Sequence, residues 1–345
     1  MIERIAVIAA GLCAAAVAVA EPDRTLLDWT DLQGWEFDDH DAALNTFIQT
    51  CGDIDDTNWA AICAVAQTQA KTPGSGRAFF EMFFRPVLIE DGNPALFTAY
   101  YEPELDGTRT QTGTHRWPIY RKPPEVRSGV KWYTRGEIED YRLLQGRGLE
   151  IAWIDDPVDV FFLQVQGSGR IRLSDGTAIR VGFGGRNGHE YRSIGAELVR
   201  RGLFERHQVS AGTIRNWVRN NPVEGARLLH HNPSFIFFRE VFQVPADAGP
   251  LGAMNRSITA MRSIAVDRDH VPMGAPVWIE KQGQEPLNRL TIAQDTGAAI
   301  KGAQRADIFF GTGAEAGRRA GRIRDGGRMA VLLPIEVALA FAQDS

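Results

Sequence analysis

The chain has 345 residues, 44% hydrophobic and 23% charged, which excludes a mostly disordered protein and suits about two domains. Its 38 basic and 43 acidic side chains leave a net charge of -5, without the basic balance of a nucleic-acid-binding protein. Seven histidines and three cysteines are too few and too scattered for a zinc-ribbon or haem-type protein, and thirty-five glycines favour turns over long helices.

Residues 1–20 read as a secretory leader. Ile5 to Ala20 is almost wholly apolar, and Ala18-Val19-Ala20 sets a small-x-small pattern before Glu21-Pro22. The run is shorter than the roughly 20 apolar residues of a membrane span. Leu12 stands before Cys13 where lipoprotein processing needs a small residue, so a lipid anchor is not expected. Cys51 and Cys63 remain after cleavage, twelve positions apart, either as a disulfide or as two buried thiols.

Residues 36–72 carry apolar side chains at three- and four-residue steps and are expected to be helical, with Asp41 and Asp56 as N-caps. From 78 to 125 the pattern changes to short apolar runs broken by Gly, Pro and Asp, as in Phe97-Thr98-Ala99-Tyr100-Tyr101, which are strand signals. The same reading extends over 149–184, including Val160-Phe161-Phe162-Leu163-Gln164-Val165. Helices are expected at Ile194 to Arg201 and at Ala211 to Asn220, the second capped by Ser210 and stopped before Pro222. Strands return at 235–238, 263–266, 277–279 and 290–293. A short helix at 315–319, a strand at 329–333 and a helix from Pro334 end the chain.

Several chemistries are set aside. Gly167-Ser168-Gly169 lacks the spacing of a nucleophile elbow. His230-His231, read in a strand, would point to opposite faces. The glycines at 182, 184, 185 and 188 do not make a dinucleotide fingerprint. Carboxylates remain. Asp267 precedes Val271-Pro272-Met273-Gly274, Asp295 opens the turn Thr296 to Gly302, and Asp307 follows twelve residues later. Any one of these suits a turn Asp. Asp307, beside Ile308, Phe309 and Phe310, has apolar neighbours that would raise a carboxyl pKa and suit it to donate a proton.

The Asp267, Asp295-to-Gly302 and Asp307 pattern resembles the three-aspartate (3D) domain. Phe97 to Gly107, Trp153 to Arg170, Asn187 to Ile194 and Asn232 to Glu240 resemble the lytic murein transglycosylase A family. That resemblance implies a mainly β protein with peripheral helices. A double-psi β-barrel would form from 21–103 and 241–345, its 3D segment running from about 255 to 333. A second β-domain would be inserted at 104–240, with a saccharide groove at the junction. It also implies cleavage of the β-1,4 bond between N-acetylmuramic acid and N-acetylglucosamine, leaving a 1,6-anhydro end, with Asp307 as the single acid/base. The implied partner is the peptidoglycan glycan strand. Complexes with other cell-wall enzymes and a monomeric, periplasmic protein that can associate with the outer membrane fit the same reading. No metal or organic cofactor is required. Familiar members are lipid-anchored, from which Leu12-Cys13 departs.

Asp295 would orient groups around Asp307 or serve its turn. Asp267 leans to a structural role, and Lys301 would neutralise charge in the cleft or be solvated. Gln166, Gly167, Ser168 and Gly169 offer an amide, a hydroxyl and close backbone approach for sugar groups, against a plain turn. Thr98 and Tyr100 are further candidates to contact the substrate, since in a strand they share one face and Tyr101 takes the other. Arg170, Arg172, Arg180, Arg186 and Arg192 would form a basic face for acidic stem peptides, or a solvated sheet. Rival readings are a hydrolase using Asp307 with Asp295 or Glu102 as base, and a non-catalytic wall-binding protein.

Overall fold

The computed structural model describes residues 22–54, 56–245 and 247–343, so the expected leader with Leu12 and Cys13 lies outside the described residues. Among the described residues no helix is long and apolar enough to cross a membrane.

The chain begins with β1 (Asp23–Leu26), α1 (His40–Phe47), α2 (Thr57–Gln69), α3 (Gly76–Phe83) and β2 (Phe84–Glu90). Asp56 caps α2 as expected, accepting from the Asn58 amide at 2.7 Å. Asp41 does not cap α1. That role falls to Asp39, which accepts from the Ala42 amide. Asp41 instead accepts from the amides of Gly74 (2.6 Å) and Gly76 (2.8 Å), tying α1 to α3. Gly76 is required there, because a Cβ would stand 2.5 Å from the His40 carbonyl. Cys51 and Cys63 form a disulfide, with Cα atoms 5.5 Å apart. The strand texture expected from residue 78 begins only at Phe84. Phe79 and Phe80 lie on successive positions of α3 and pack with Phe47 and Phe84 in one aromatic cluster.

Next come β3 (Leu96–Glu102), β4 (Glu104–Thr108), β5 (Trp117–Tyr120), α4 (Arg135–Asp140), β6 (Glu150–Ile154) and α5 (Pro157–Gln166). The strand expected through Val160 to Val165 is therefore a helix. Its ends carry the reason. The Asp156 carboxylate accepts from the Val158 amide at 2.8 Å, Pro157 fills the first turn, and Gly167 closes the helix at φ 78°. Apolar residues occupy both sides because α5 packs both ways, Val160 and Leu163 into one cluster and Val158, Phe161 and Phe162 into another. That double burial erased the helical period.

The chain continues through β7 (Gly169–Leu173), β8 (Ala178–Arg186), α6 (Ile194–Arg200), α7 (Ala211–Asn220), α8 (Pro222–His230) and β9 (Ile236–Val241). Ser210 caps α7 as expected. Pro222 does more than stop α7, since it opens α8. His230 and His231 thus sit at a helix end, not in a strand. The last elements are β10 (Ser263–Val266), β11 (Pro276–Lys281), β12 (Leu287–Asp295), β13 (Arg305–Thr312), α9 (Gly313–Ala320), β14 (Arg324–Asp325), β15 (Gly327–Pro334) and α10 (Ile335–Gln343).

The fold is mainly β with peripheral helices. One sheet has nine strands in the order β1-β2-β15-β11-β12-β10-β13-β3-β14, the other six in the order β5-β6-β4-β7-β8-β9. The six-stranded sheet nearly closes, because Arg121, just past β5, bridges to Phe238 in β9. In the nine-stranded sheet β10 runs parallel to β12, and β13 parallel to β3. Parallel neighbours cannot be joined by a hairpin, so distant stretches of chain must cross, as a double-psi barrel requires.

The two sheets meet at Glu102, the last residue of β3 and fully buried. Its carboxylate pairs with Arg170 of β7 at 3.0 Å and Arg180 of β8 at 2.9 Å, and accepts from the Thr312 hydroxyl of β13 at 2.8 Å. Arg170 and Arg180 also reach the Ala248 carbonyl. Arg172 pairs with Asp106. These three arginines are therefore committed to partners rather than forming a free basic face.

Candidate active site

Strand register brings the candidate residues into one row. Asp307 of β13 lies opposite Thr98 of β3 and, on its other side, opposite Ala265 of β10. Ala265 in turn lies opposite Asp295 of β12. Directly paired residues point to the same face of a sheet. Thr98, Asp307, Ala265 and Asp295 thus share a face across four strands, while Phe97, Ile264 and Ile308 turn to the opposite side and are fully buried. In register, Ala265 is the residue that stands between Asp295 and Asp307.

The two aspartates are held differently. Asp295 accepts from the Tyr100 hydroxyl at 2.8 Å on Oδ2, and from the amides of Ala253 (3.0 Å) and Thr296 (2.9 Å) on Oδ1. Asp307 accepts from the Thr98 hydroxyl on Oδ1. Among the described residues no donor reaches its Oδ2. Both side chains keep a partly open edge, with protein atoms crowding the remaining sides.

That crowding perturbs both acids. Desolvation raises the Asp307 carboxyl above its ordinary range, against the Thr98 hydrogen bond and the Arg305 charge, which both lower it. Desolvation likewise pushes Asp295 up to about 6, opposed by its three hydrogen bonds and reinforced by the Asp307 charge. Burial, then the Asp295 carboxylate, holds the Tyr100 hydroxyl well above its usual value, so Tyr100 remains a donor. Of the apolar side chains that follow Asp307 in sequence, Ile308 faces away and Phe309 shares its face. On Asp307's own face are Arg305, Phe309 and Tyr100, with the Tyr100 and Phe309 rings 5.3 Å apart.

Asp267 and Lys301 are not joined to this pair by any hydrogen bond or ion pair among the described residues. Asp267, buried just past β10, accepts from Lys301 Nζ at 3.1 Å, from the Gly302 amide at 3.0 Å and from the Asp269 amide at 3.3 Å. Burial alone would raise its carboxyl, but the Gly302 amide and Lys301 bring it below the usual range. Both side chains staple the turn after β12 to the end of β10. Register thus brings two of the three aspartates together, and the third serves the backbone.

Gln166, Gly167, Ser168 and Gly169 end α5 and start β7. The Gln166 side-chain oxygen accepts from the Tyr101 amide at 3.1 Å, and Gly167 is the left-handed helix cap. Ser168 is buried. A Cβ on Gly169 would stand 2.4 Å from Leu163 and 3.1 Å from the Pro103 carbonyl. Gln166 and Gly169 are tied to the seam beside β3, whereas Gly167 caps the helix with open space at its Cβ position. Tyr101 takes the face opposite Thr98 and Tyr100, with its ring against Gly317 of α9. Glu102, buried and bound by two arginines, is not placed as a water-activating base.

Arg305 is the residue that motif reading missed. It stands two positions before Asp307, so strand alternation alone puts it on the same face. Its Nη2 donates to the Thr98 hydroxyl oxygen at 2.8 Å, and Nη1 to the carbonyls of Leu96 (3.2 Å) and Ala306 (2.5 Å). Among the described residues no group of three or more His, Cys, Asp or Glu side chains is placed to hold a metal ion.

Residues 96–239 match the MltA specific insert domain, and residues 262–333 match the 3D domain. The chain is 37% identical over 251 residues to membrane-bound lytic murein transglycosylase A of Escherichia coli strain K12, a match covering 68% of this chain and 65% of that relative. Among solved structures, a membrane-bound lytic murein transglycosylase from Agrobacterium tumefaciens is 32% identical with a TM-score of 0.80, covering 92% of this chain and 99% of that one. The structure of E. coli MltA with bound chitohexaose is 30% identical with a TM-score of 0.70, covering 86% and 90%. Matched in both its insert and its 3D segment, and to a solved relative across nearly that relative's whole length, this chain belongs to the membrane-bound lytic murein transglycosylase A family.

Proposed function

We propose that this chain is a lytic murein transglycosylase that uses Asp307 as its acid/base on peptidoglycan glycan strands. The observation that carries the reading is the asymmetry of the two carboxylates. Among the described residues Asp307 has one oxygen held by Thr98 and the other without a protein donor, while both oxygens of Asp295 are occupied. A family relative binds chitohexaose, a β-1,4-linked N-acetylglucosamine chain, which supports a glycan as substrate. The groove then runs between a barrel unit of 21–103 with 241–345 and an insert at 104–240. The expected secretory leader agrees with action in the periplasm.

The chemistry needs one carboxyl. Asp307, whose protonated form desolvation favours, gives its proton to the glycosidic oxygen as the bond to C1 of N-acetylmuramic acid breaks. The C6 hydroxyl of the same sugar attacks C1, and its proton passes to the Asp307 carboxylate. The enzyme is restored, and no water is added. Ordinary glycosidases need a second carboxyl to activate water or to attack the sugar. Here the nucleophile is already tethered beside C1, which supplies the proximity advantage. Asp295, with its hydrogen bonds filled, orients Tyr100 and the 253 loop rather than activating water.

The test is mass spectrometry of purified murein after incubation with the enzyme and with Asp307→Asn. Anhydro-muropeptides, one water lighter than hydrolysed ones, are expected from the enzyme, with turnover falling by about 10²- to 10⁴-fold in the variant. Products carrying added water would replace the reading with a two-carboxylate hydrolase. Retained binding with no products from either protein would leave a wall-binding role.

A further inference from the structure

A carboxylic acid can carry its proton on either oxygen, but only one of them serves a substrate outside the protein. On the reading that Asp307 is the acid/base, we propose that Arg305, acting through Thr98, holds the transferable proton of Asp307 on Oδ2.

The direction of the hydrogen bonds follows from the donor inventory. A guanidinium carries only donors, so between Arg305 Nη2 and Thr98 Oγ1 the hydroxyl oxygen must accept. The two carbonyls of Leu96 and Ala306 fix the guanidinium in that position. The hydroxyl has one proton of its own. Asp307 Oδ1 is its acceptor, and no other acceptor lies within hydrogen-bond reach of it among the described residues. A proton placed on Oδ1 would point at the proton of Thr98. The carboxyl proton therefore stays on Oδ2, the oxygen without a protein donor among the described residues. That oxygen gives its proton to the glycosidic oxygen and takes back the proton of the C6 hydroxyl. Without Arg305 the Thr98 proton can turn into the space the guanidinium filled, towards the freed Leu96 and Ala306 carbonyls, and the hydroxyl oxygen then accepts from Oδ1. The acid proton then turns inward, away from the substrate.

Arg305 is a positioning residue in this scheme, since it acts through Thr98. The other charged or titratable groups facing the pair are Tyr100 on β3, Asp295 on β12 and Arg324 on β14, which lies opposite Thr98 in register.

The experiment measures kcat and KM against pH on solubilised glycan strands for the enzyme and for R305M, R305K, T98V, T98S and T98V/R305M. R305M and T98V are each expected to lower kcat about fivefold or more, the worth of one oriented hydrogen bond, with KM unchanged. Both also move the alkaline limb of kcat/KM to higher pH, because the Thr98 bond and the Arg305 charge each hold Asp307 down. R305K and T98S, which keep a donor in place, recover most of the rate. At pH values below the alkaline limb the double variant loses no more kcat than T98V alone, because there both changes act through one hydroxyl. If R305M does not fold, T98V against T98S carries the test at the hydroxyl itself. An unchanged kcat and pH limb in R305M, or a double variant whose loss is the product of the single losses, overturns the proposal. Full activity in D307N would instead overturn the acid/base assignment on which it rests.

Discussion

Replacing Glu102 with alanine strands two guanidinium charges at the seam between the sheets. Removing one partner of a buried ion pair costs about 3–5 kcal/mol, because the remaining charge loses both water and counter-ion. The local geometry sets this case near the low end. Arg170 keeps the Ala248 carbonyl at 3.1 Å, Arg180 keeps those of Pro245 (3.2 Å) and Ala248 (2.7 Å), and the Arg170 side chain is 21% exposed. The Thr312 hydroxyl loses its acceptor as well, worth about 1 kcal/mol. The expected loss is about 3–4 kcal/mol. Equilibrium urea denaturation followed by tryptophan fluorescence reads it as a lower midpoint at unchanged slope. The control is R172A, which breaks a pair with Asp106 whose side chains are 59% and 68% exposed and should cost under about 1 kcal/mol. If E102A costs no more than R172A, Glu102 does not join the two sheets in the way described.

Asp295, with a folded pKa of about 6, binds its proton more tightly than in the unfolded chain. Its stabilising contribution is whole below about pH 4 and is lost as pH rises through about 6, a change on the order of 3 kcal/mol. D295N should flatten the fall in urea stability between those limits, and equal slopes in the two proteins would refute the burial argument. K301A should cost under about 1 kcal/mol, as Lys301 is 63% exposed, whereas D267A, which abandons two backbone amides, should cost about 2 kcal/mol. Neither should move the pH limbs of turnover, and a shift in either would return the pair to the catalytic site. Replacing Cys51 and Cys63 with serine opens a loop with a sequence separation of 12 and should cost about 3 kcal/mol by loop entropy. An unchanged denaturation midpoint would contradict that.

What was legible in the sequence is what short stretches decide for themselves. Asp56 and Ser210 cap the helices they precede, because a cap bonds to amides only a few residues away. The Ser263 to Val266 strand lies at its expected bounds, and alternation alone places Thr98 and Tyr100 on one face, opposite Tyr101. Local reading failed where an element is buried on both sides, as in α5, whose apolar residues show no helical period. It failed again where a side chain had several possible partners. Asp41 could cap α1, but a carboxylate settles on the amides that the fold brings nearest, here those of α3. Three aspartates before glycine turns look alike in sequence. Strand register sets Asp295 and Asp307 either side of Ala265, while the Gly302 amide and Lys301 draw Asp267 away. The bond from Thr98 to Asp307 spans 209 positions, and that from Tyr100 to Asp295 spans 195. Such contacts arise when strands distant in sequence pair within the nine-stranded sheet, and the desolvation that tunes these carboxyls arises with them, so neither exists in any segment taken alone.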